Sequence, residues 1–414
     1  MFKLTKLNNG LKILSQKVNN CSTVTLGYVV KCGSYNEDES NLGIAHFTEH
    51  MLFKGTYNRS KEDINYDIES VGGVLNAYTS FDHTKYWCTI PSMHIETGID
   101  VLSDLIWNNT IPKNEFDKER NVILEELKMY NDDAMSRLSD LCFKTIFRDY
   151  TNRQLVGGTL DSVKGITREQ MINFIDKYYT SNNIILIATG DVEHSNLCNL
   201  VKKYIVDIES SSYDTKPASF EGFKEDIERN VEVLDNTITQ SHLKWALHTI
   251  EGKINDKQMA ISEIIATILG GNSSSRLYNI IREQRGLAYT VTVDNDVVYD
   301  FSGLYGYVGL DKENINDVKN IVINELNKFK KNKVSDKDLK AAKEYLKGSL
   351  LISLESTRGK NSFLCSSVVY GFNFDYNSYI NVIDSITSED IYEFAKKYID
   401  TDKIFFISLI SKDN

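Results

Sequence analysis

Proline and long apolar runs are both scarce in this chain of 414 residues. Only three prolines occur, so helices and strands can continue with few forced breaks. No apolar run approaches the roughly 18 residues that a membrane-spanning helix needs, and we therefore expect no membrane segment. The N-terminal residues contain neither an apolar signal core nor an Arg-rich amphipathic presequence, so we also expect no export or organelle signal.

Paired cysteines and an excess of positive charge are also missing. The six cysteines are scattered and never have C-x-x-C spacing, which predicts reduced thiols in a cytoplasmic protein. The chain has 47 basic and 58 acidic residues, and its net charge of -11 argues against nucleic acid as the main partner. This charge fits simple solubility, and it also fits an acidic cavity that attracts basic peptides.

The length is sufficient for two or three domains, and an internal repeat indicates two. Ile-Thr, Phe and Tyr precede an apolar strand at 166–187, and the same order returns at 386–407. A chance match over so few positions is the alternative. We predict an α+β fold of two homologous domains, each an antiparallel-rich β-sheet covered by helices. The predicted domains are 1–212 and 226–414, joined by a polar linker at 213–225.

Hydrophobic periodicity and turn residues predict the elements of the first half. The predicted strands are 4–7, 11–14, 24–30, 74–78, 84–90 and 184–189, and the predicted helices are 41–53 and 115–131.

The most specific feature is the string HFTEH, in which His46 and His50 are four residues apart. On a helix, this spacing places both imidazoles on one face, where they can chelate one Zn²⁺. Glu49 lies at the edge of that face and could accept a proton from water. The pattern H-x-x-E-H is the inverted form of the H-E-x-x-H zinc-peptidase motif. The alternative is a pair of helix histidines that bind no metal.

A catalytic zinc site needs three protein ligands and one open position. On the long helix predicted in the first half, Glu119 and Glu126 are seven residues apart and share a face. Val122, Ile123 and Tyr130 lead us to expect that this face points into a core. A carboxylate buried there needs a partner, and a zinc ion would supply one.

The segment 41–56 (NLGIAHFTEHMLFKGT) resembles the signature of the pitrilysin and insulysin superfamily of inverzincin zinc metallopeptidases. It is most similar to the two-domain branch that contains the catalytic subunit of the mitochondrial processing peptidase and its bacterial relatives. The resemblance implies Zn²⁺ as the cofactor, with His46, His50 and Glu126 as ligands. It also implies that Glu119 is the family's supporting acidic residue.

The same resemblance implies a zinc-dependent endopeptidase that hydrolyses peptides or unfolded segments, with Glu49 as general base for a zinc-bound water. The segment 72–80 resembles the family's edge strand, to which a peptide substrate adds as an extra strand. Asn76 and Ala77 match its substrate-contacting positions. Without the resemblance, this segment also fits an ordinary edge strand and turn.

In the second half, Arg282 and Tyr289 match a family pair that grips the substrate backbone and helps to stabilise the oxyanion. Their spacing alone favours a surface arginine and a core tyrosine, whereas the resemblance favours the functional pair. No second H-x-x-E-H occurs, so we expect the C-terminal domain to lack a metal site. The resemblance implies that a chain of this length needs a partner to enclose its substrate. We therefore expect a homodimer, or a heterodimer with a related chain, in which Arg282 and Tyr289 act in trans.

Two other functions compete with this interpretation. One is a non-catalytic scaffold or partner subunit of a peptidase complex, although such subunits generally carry broken zinc motifs. The other is a zinc hydrolase that acts on non-peptide substrates. The strand around Asn76 and the pair Arg282 and Tyr289 favour peptides.

Overall fold

The computed structural model describes residues 2–150, 155–205, 227–298, 301–373 and 375–412. The predicted linker at 213–225 lies outside these residues.

The elements of the first half follow in chain order: β1 Phe2–Lys6, β2 Lys12–Lys17, β3 Thr23–Val30, α1 Ile44–Leu52, α2 Lys61–Glu69, β4 Val74–Thr79, β5 Thr84–Pro91, α3 Ile95–Trp107, α4 Lys113–Asp132, α5 Ala134–Ile146, α6 Leu160–Gly165, α7 Arg168–Tyr178, β6 Ile184–Gly190 and α8 His194–Tyr204. The elements of the second half are β7 Asn230–Asp235, β8 Ser241–Glu251, α9 Asp256–Gly270, α10 Arg276–Tyr278, β9 Ala288–Val298, β10 Phe301–Leu310, α11 Ile315–Lys331, α12 Asp336–Ser353, α13 Thr357–Tyr370, α14 Tyr376–Ser385, α15 Ser388–Tyr398 and β11 Phe405–Ser411.

The described strands form two sheets that share one topology. The first sheet has the order β1-β2-β6-β3-β5-β4, and only its β2–β6 pair is parallel. The second has the order β7-β11-β8-β10-β9, and only its β7–β11 pair is parallel. The second sheet therefore repeats the first without β1. This repetition confirms the predicted α+β fold of two homologous domains.

Each sheet belongs to a compact unit, and each unit includes a segment from the other half of the chain. Unit one contains the described residues within Met1–Met129, Tyr150–Ser219 and Ser353–Phe374. Unit two contains those within Tyr130–Asp149, Phe220–Ile352 and Asp375–Asn414. Helix α5 thus belongs to unit two and α13 to unit one. The predicted domains were continuous ranges, so they placed α5 in the first domain and α13 in the second.

Helix α13 covers one face of the sheet of unit one. Leu364 and Cys365 of α13 pack against Leu14, Val29 and Ile187 of the sheet. The opposite face packs against a larger core that includes α1, α3 and α7. Because both faces are covered, every residue of β6 is buried, which explains its continuous apolar sequence.

Buried hydrogen bonds join α13 to the strands beneath it. The amide of Asn361 donates to the carbonyl oxygens of Thr25 at 3.1 Å and Ile187 at 3.0 Å. The hydroxyl of Thr189 donates to the carbonyl oxygen of Thr357 at 2.7 Å. These bonds satisfy polar groups that would be costly to bury without partners, and so they specify where the helix lies.

The predicted strands and helices of the first half are all present, with small shifts at their ends. The largest shifts are three residues: the strand predicted to end at Leu14 ends at Lys17, and the helix predicted to begin at Asn41 begins at Ile44. Gly43 precedes it with a φ of 91°, in the left-handed region that glycine tolerates best.

One prediction about α4 is wrong. Ile123 is fully buried, but Val122 is 52% exposed and Tyr130 is 44% exposed, so these two residues do not point into a core. The buried residues of α4 are Phe116, Glu119 and Ile123. They are three and four residues apart, so they form a narrow stripe along one side of the helix. Val122 is rotated from Ile123 by about 100° and lies beside this stripe.

None of the described helices is long and apolar enough to cross a membrane.

Candidate metal centre

Helix α1 carries both histidines of the motif on one face. The ring centroids of His46 and His50 are 4.6 Å apart. Phe47 and Met51 project to the other side and are fully buried in the core of unit one. The helix is therefore fixed by its apolar face, and its opposite face presents the two imidazoles.

The N-terminus of α1 is held by Glu37, a residue that the sequence did not single out. Because Gly43 has no side chain to cap the helix, the carboxylate of Glu37 takes that role. Its two oxygens accept from the backbone N–H groups of Gly43 at 2.7 Å and Ala45 at 2.8 Å. Burial raises the pKa of Glu37 well above its usual range, although both bonds oppose that rise. A glutamate several residues before a helix gives no sequence signal for this contact.

An aromatic stack fixes α4 against α1. The rings of Phe47 and Phe116 are stacked with centroids 4.7 Å apart. The guanidinium of Arg120 lies 4.9 Å from the centre of the Phe116 ring and donates to the carbonyl oxygen of Ile166 at 2.8 Å. This packing sets the rotation of α4 about its axis, and it turns Glu119 toward the histidines of α1.

Three ligand atoms of His46, His50 and Glu126 converge within 4.8 Å of one another. Oε2 of Glu126 lies 4.0 Å from Nε2 of His46 and 3.5 Å from Nε2 of His50. Both distances are too long for good hydrogen bonds. Ligand atoms that surround a tetrahedral zinc at about 2.0–2.2 Å lie about 3.4 Å from one another. The spacing of these three residues therefore fits a zinc ion.

Glu119 sets the tautomer of His50. Its Oε1 lies 2.8 Å from Nδ1 of His50, and its Oε2 lies 2.7 Å from the Lys54 ammonium. Because Nδ1–H donates to this carboxylate, the lone pair of Nε2 is directed to the side of Glu126. An imidazole that binds a metal through one ring nitrogen commonly donates a hydrogen bond from the other ring nitrogen to a carboxylate. For His46, the buried Nδ1 has no hydrogen-bond partner within the described ranges.

The electrostatics of the site also favour a cation. Burial and the neighbouring His50 lower the pKa of His46 to about 4, so its imidazole is neutral at pH 7. Burial also acts to lower the pKa of His50, but the bond from Glu119 and the charge of Glu126 outweigh it and raise that pKa. A neutral imidazole nitrogen and a carboxylate oxygen both present lone pairs, so the two atoms repel each other. A cation bound between them replaces this repulsion with attraction.

Glu49 connects this centre to strand β4. Its Oε2 accepts a hydrogen bond from the hydroxyl of Thr79, the last residue of β4, at 2.5 Å. Burial raises the pKa of Glu49 above its ordinary value, although the bond from Thr79 opposes this rise. A carboxylate whose pKa is raised toward neutrality is suited to act as a general base.

Strand β4 is the edge of the sheet of unit one. It pairs with β5, and no other strand of the described residues pairs with it. Leu75 and Ala77 pack toward the larger core, whereas Val74, Asn76 and Tyr78 alternate to the other face. The predicted substrate-contacting residues Asn76 and Ala77 thus lie on a strand with an unpaired edge.

In unit two, Arg282 and Tyr289 lie against each other. The Arg282 guanidinium is 4.4 Å from the centre of the Tyr289 ring and 5.0 Å from that of Tyr278. It also donates to the carbonyl oxygen of Tyr289 at 3.1 Å. Tyr289 is 74% exposed, so the alternative of a core tyrosine is wrong. Within the described residues, no second group of three His, Cys, Asp or Glu side chains is spaced for a metal ion.

The chain belongs to the insulinase family, peptidase family M16. The family's sequence profile matches residues 12–159, and the profile described as the peptidase M16 inactive domain matches residues 165–346. This finding confirms the resemblance of the segment 41–56.

The relatives of this chain match it over nearly its whole length. An uncharacterized zinc protease of Bacillus subtilis, YmxG, is 28% identical over 412 residues, which are 99% of this chain and 98% of that protein. The beta subunit of the mitochondrial-processing peptidase of Saccharomyces cerevisiae is 29% identical over 425 aligned positions, covering 98% of this chain and 90% of that subunit. Both are similar in length to this chain, which agrees with a two-domain member of the family.

A solved structure supports the fold. The crystal structure of a protease from Helicobacter pylori has a TM-score of 0.92 at 21% identity and covers 99% of both chains. At that identity, the likeness shows the fold alone.

Proposed function

We propose that this protein is a zinc-dependent endopeptidase that hydrolyses peptides or unfolded segments. The observation that carries the proposal is the convergence of His46, His50 and Glu126 at zinc-ligand spacing, with Glu49 beside them. The names of the relatives, a zinc protease and a processing peptidase subunit, support the metal and the substrate class.

In this proposal, His46, His50 and Glu126 hold the zinc ion. Zinc bound there supplies a Lewis acid that makes water more acidic and polarises a peptide carbonyl. Glu49 accepts the proton of the attacking water and returns it to the departing amine. The hydroxyl of Thr79 donates to one oxygen of Glu49 and so limits the rotation of the carboxylate. Glu119 does not touch the substrate and acts by orienting His50.

We expect the peptide to add to β4 as a further antiparallel or parallel strand. The unpaired edge of β4 offers backbone donors and acceptors for this purpose. Asn76 and Ala77 lie within a few residues of Thr79, so a peptide bound beside them approaches Glu49. The exposed Tyr289 and the half-buried Arg282 beside it provide donors that can hold the peptide backbone and the oxyanion.

We further propose that two chains, identical or related, enclose the substrate in a closed chamber and that Arg282 and Tyr289 act in trans. A mixing experiment tests this for a homodimer. Glu49→Gln and Arg282→Ala chains, each inactive alone, are mixed after dissociation. Sites assembled in trans restore activity to about a quarter of the wild-type level in an equal mixture, because half of the dimers carry one intact site. No restoration by a mixture that forms dimers would contradict the arrangement.

Zinc content and cleavage of a quenched peptide library test the catalytic proposal. We expect the wild type and Glu49→Gln to bind one zinc per chain, with cleavage lowered by about 10²-fold or more in the variant. Glu126→Gln should weaken zinc binding itself. Glu125→Gln, the neighbouring exposed glutamate, serves as the matched control and should behave like the wild type. Full activity of Glu49→Gln would remove Glu49 from its proposed role, and failure to bind zinc would remove the metal centre.

The same experiment also distinguishes the alternative of a non-catalytic scaffold subunit. Bound zinc without cleavage by the wild type, in the presence of any chain that copurifies with it, would favour a non-catalytic subunit.

A cytoplasmic location is part of the proposal, and the free state of all six cysteines supports it.

A further inference from the structure

A cluster of polar side chains lies on the α13 face of the sheet of unit one. Tyr78 is the penultimate residue of β4, and Asp82 and His83 follow in the turn that leads to β5. Cys365 lies in the middle of α13 and is 2% exposed. Because side chains alternate along β4, Tyr78 faces away from the core that contains α1. The proposed catalysis uses none of these four side chains.

A continuous chain of contacts joins the members of the cluster. Oδ1 of Asp82 lies 2.6 Å from Nδ1 of His83, and Nε2 of His83 lies 3.1 Å from the hydroxyl of Tyr78. That hydroxyl lies 3.8 Å from Sγ of Cys365. The Tyr78 hydroxyl thus lies between the imidazole of His83 and the sulfur of Cys365, and His83 is also among the groups that shift the pKa of this thiol. An imidazole that a carboxylate orients close to a thiol is a known way to activate a sulfur nucleophile.

The charges around the thiol favour its ionised form. Burial acts to lower the pKa of His83, but its bonds with Asp82 and Cys365 outweigh burial and raise the pKa to about 9. Burial acts to raise the pKa of Cys365, but the bond and charge of His83, followed by the charge of Lys85 and a bond from Tyr78, lower it below its ordinary value.

Other groups face the same cluster. Tyr370 of α13 lies near both Asp82 and Cys365, and its own pKa is raised, chiefly by burial, so it stays neutral. The hydroxyl of Tyr78 stays neutral for the same reason. His83 and Lys85 are therefore the neighbouring groups whose positive charge favours the thiolate form of Cys365.

Cys32, Cys88 and Cys142 are buried without a neighbouring imidazole among the described contacts, whereas the Cys198 thiol lies 3.5 Å from Nε2 of His194. Burial raises the pKa of Cys88 and of Cys142 to about 12, and it raises the pKa of Cys32 well above its usual range. A thiol is a poor nucleophile, and only the thiolate reacts readily. The structure therefore separates Cys365 from these three cysteines.

We propose that Cys365 is a modification site for hydroperoxides and that it reacts as a thiolate, with the His83 imidazolium as the proton donor. The sulfur attacks one peroxide oxygen, so that an S–O bond forms and the O–O bond breaks. The sulfur is oxidised by two electrons, and the peroxide is reduced. The departing oxygen takes the proton of His83 and leaves as water or an alcohol, and a sulfenic acid remains on Cys365. Because the thiol is buried, a small oxidant such as hydrogen peroxide reaches it most readily.

Oxidation also acts on the peptide-binding strand, a step that rests on the proposed function. The new oxygen must occupy space between Cys365 and the hydroxyl of Tyr78, which are now in contact. Tyr78 is therefore displaced, and its neighbour Thr79 carries the hydrogen bond to Glu49. We expect oxidised protein to bind peptide more weakly and to orient Glu49 less well, so that KM rises and kcat falls.

Chemical labelling of the native protein tests the site without any need for catalysis. The protein is treated with hydrogen peroxide at pH 7, sulfenic acid is trapped with dimedone, and peptide mapping by mass spectrometry locates the label. We expect Cys365 to be labelled about tenfold faster than Cys88 or Cys142. His83→Gln should slow the labelling of Cys365 about tenfold, and should move the pH midpoint of its alkylation upward. Cys142→Ser is the control and should leave the labelling of Cys365 unchanged.

Three results would overturn the proposal. Cys365 could stay unlabelled at peroxide doses that label another cysteine of the folded chain. Cys365 could react in folded His83→Gln with the rate and pH midpoint of the wild type. Peptide KM and kcat could stay constant while Cys365 is fully oxidised, which would remove the effect on β4. Absence of cleavage by the untreated wild type would instead count against the proposed function, since the labelling does not depend on it.

Discussion

The side chain of Glu119 offers a sharp test of how the centre is held together. Glu119 is 6% exposed and bonds His50 at 2.8 Å and Lys54 at 2.7 Å. Replacement by Ala removes the acceptor that holds Nδ1–H of His50. Replacement by Gln keeps an acceptor of the same shape but removes the negative charge that pairs with Lys54. The two variants therefore separate the loss of the hydrogen bond from the loss of the charge.

The expected magnitude follows from the role of a carboxylate behind a ligating histidine. Loss of such a group weakens metal binding by about 10- to 100-fold, or about 1.4–2.7 kcal/mol. Because the amide oxygen of Gln can still accept from His50, we expect Glu119→Gln to lie near the lower end. Glu119→Ala should lie near the upper end, since it also leaves the Lys54 ammonium unpaired beside the metal centre.

Competition against a fluorescent zinc chelator measures the affinity, and thermal unfolding of the zinc-free proteins checks the fold. The control is Glu125→Gln, since Glu125 lies on the same helix, is 73% exposed in its side chain and pairs only weakly with Lys128. It should leave the affinity unchanged. If Glu119→Ala binds zinc within about twofold of the wild type while zinc-free stability is retained, Glu119 does not support His50 in the way the geometry indicates.

Further predictions concern stability. Glu37→Gln replaces one acceptor at the start of α1 with an amide donor, so it should lower the unfolding free energy by about 1–3 kcal/mol in urea titrations. Asn361→Leu leaves two buried carbonyl oxygens without their donor, and the same assay should show a loss of about 2–4 kcal/mol. Bonds from Lys257 and Thr387 outweigh burial and lower the pKa of Asp390 to about 2. Because this pKa is lower than in the unfolded chain, the stabilisation is present above pH 4 and is lost as the pH falls toward 2. Acid unfolding of Asp390→Asn should lack this component.

The sequence predicted those parts of the centre that depend on helical periodicity. His46 and His50 belong to one helix, so their spacing translates directly into a shared face. Glu126 required the resemblance, because helix spacing alone relates it to Glu119 and not to α1. The contact of Glu37 with the first turn of α1 depends on the path of a loop, for which local sequence carries no signal.

The assignment of α5 to unit two and of α13 to unit one could not be predicted, for a different reason. Periodicity shows that a helix has an apolar face, but it does not show which sheet that face covers. For α13, the decisive contacts are made by Asn361 with Thr25 and Ile187, residues that lie far away in the chain. The neighbourhood of His83 and Cys365 has the same origin, because it exists only once α13 covers the first sheet.

The centre therefore depends on two supports that can be altered separately. Helix α4 supplies Glu126 and orients His50 through Glu119, whereas strand β4 orients Glu49 through Thr79. Changes on α4 should act first on zinc affinity, and changes on β4 should act first on peptide binding and proton transfer. Oxidation of Cys365 acts through Tyr78 of β4, so we expect it to alter KM and kcat while zinc affinity is retained. If zinc loss accompanied oxidation, the effect would reach α1 or α4, and the two supports would not be independent.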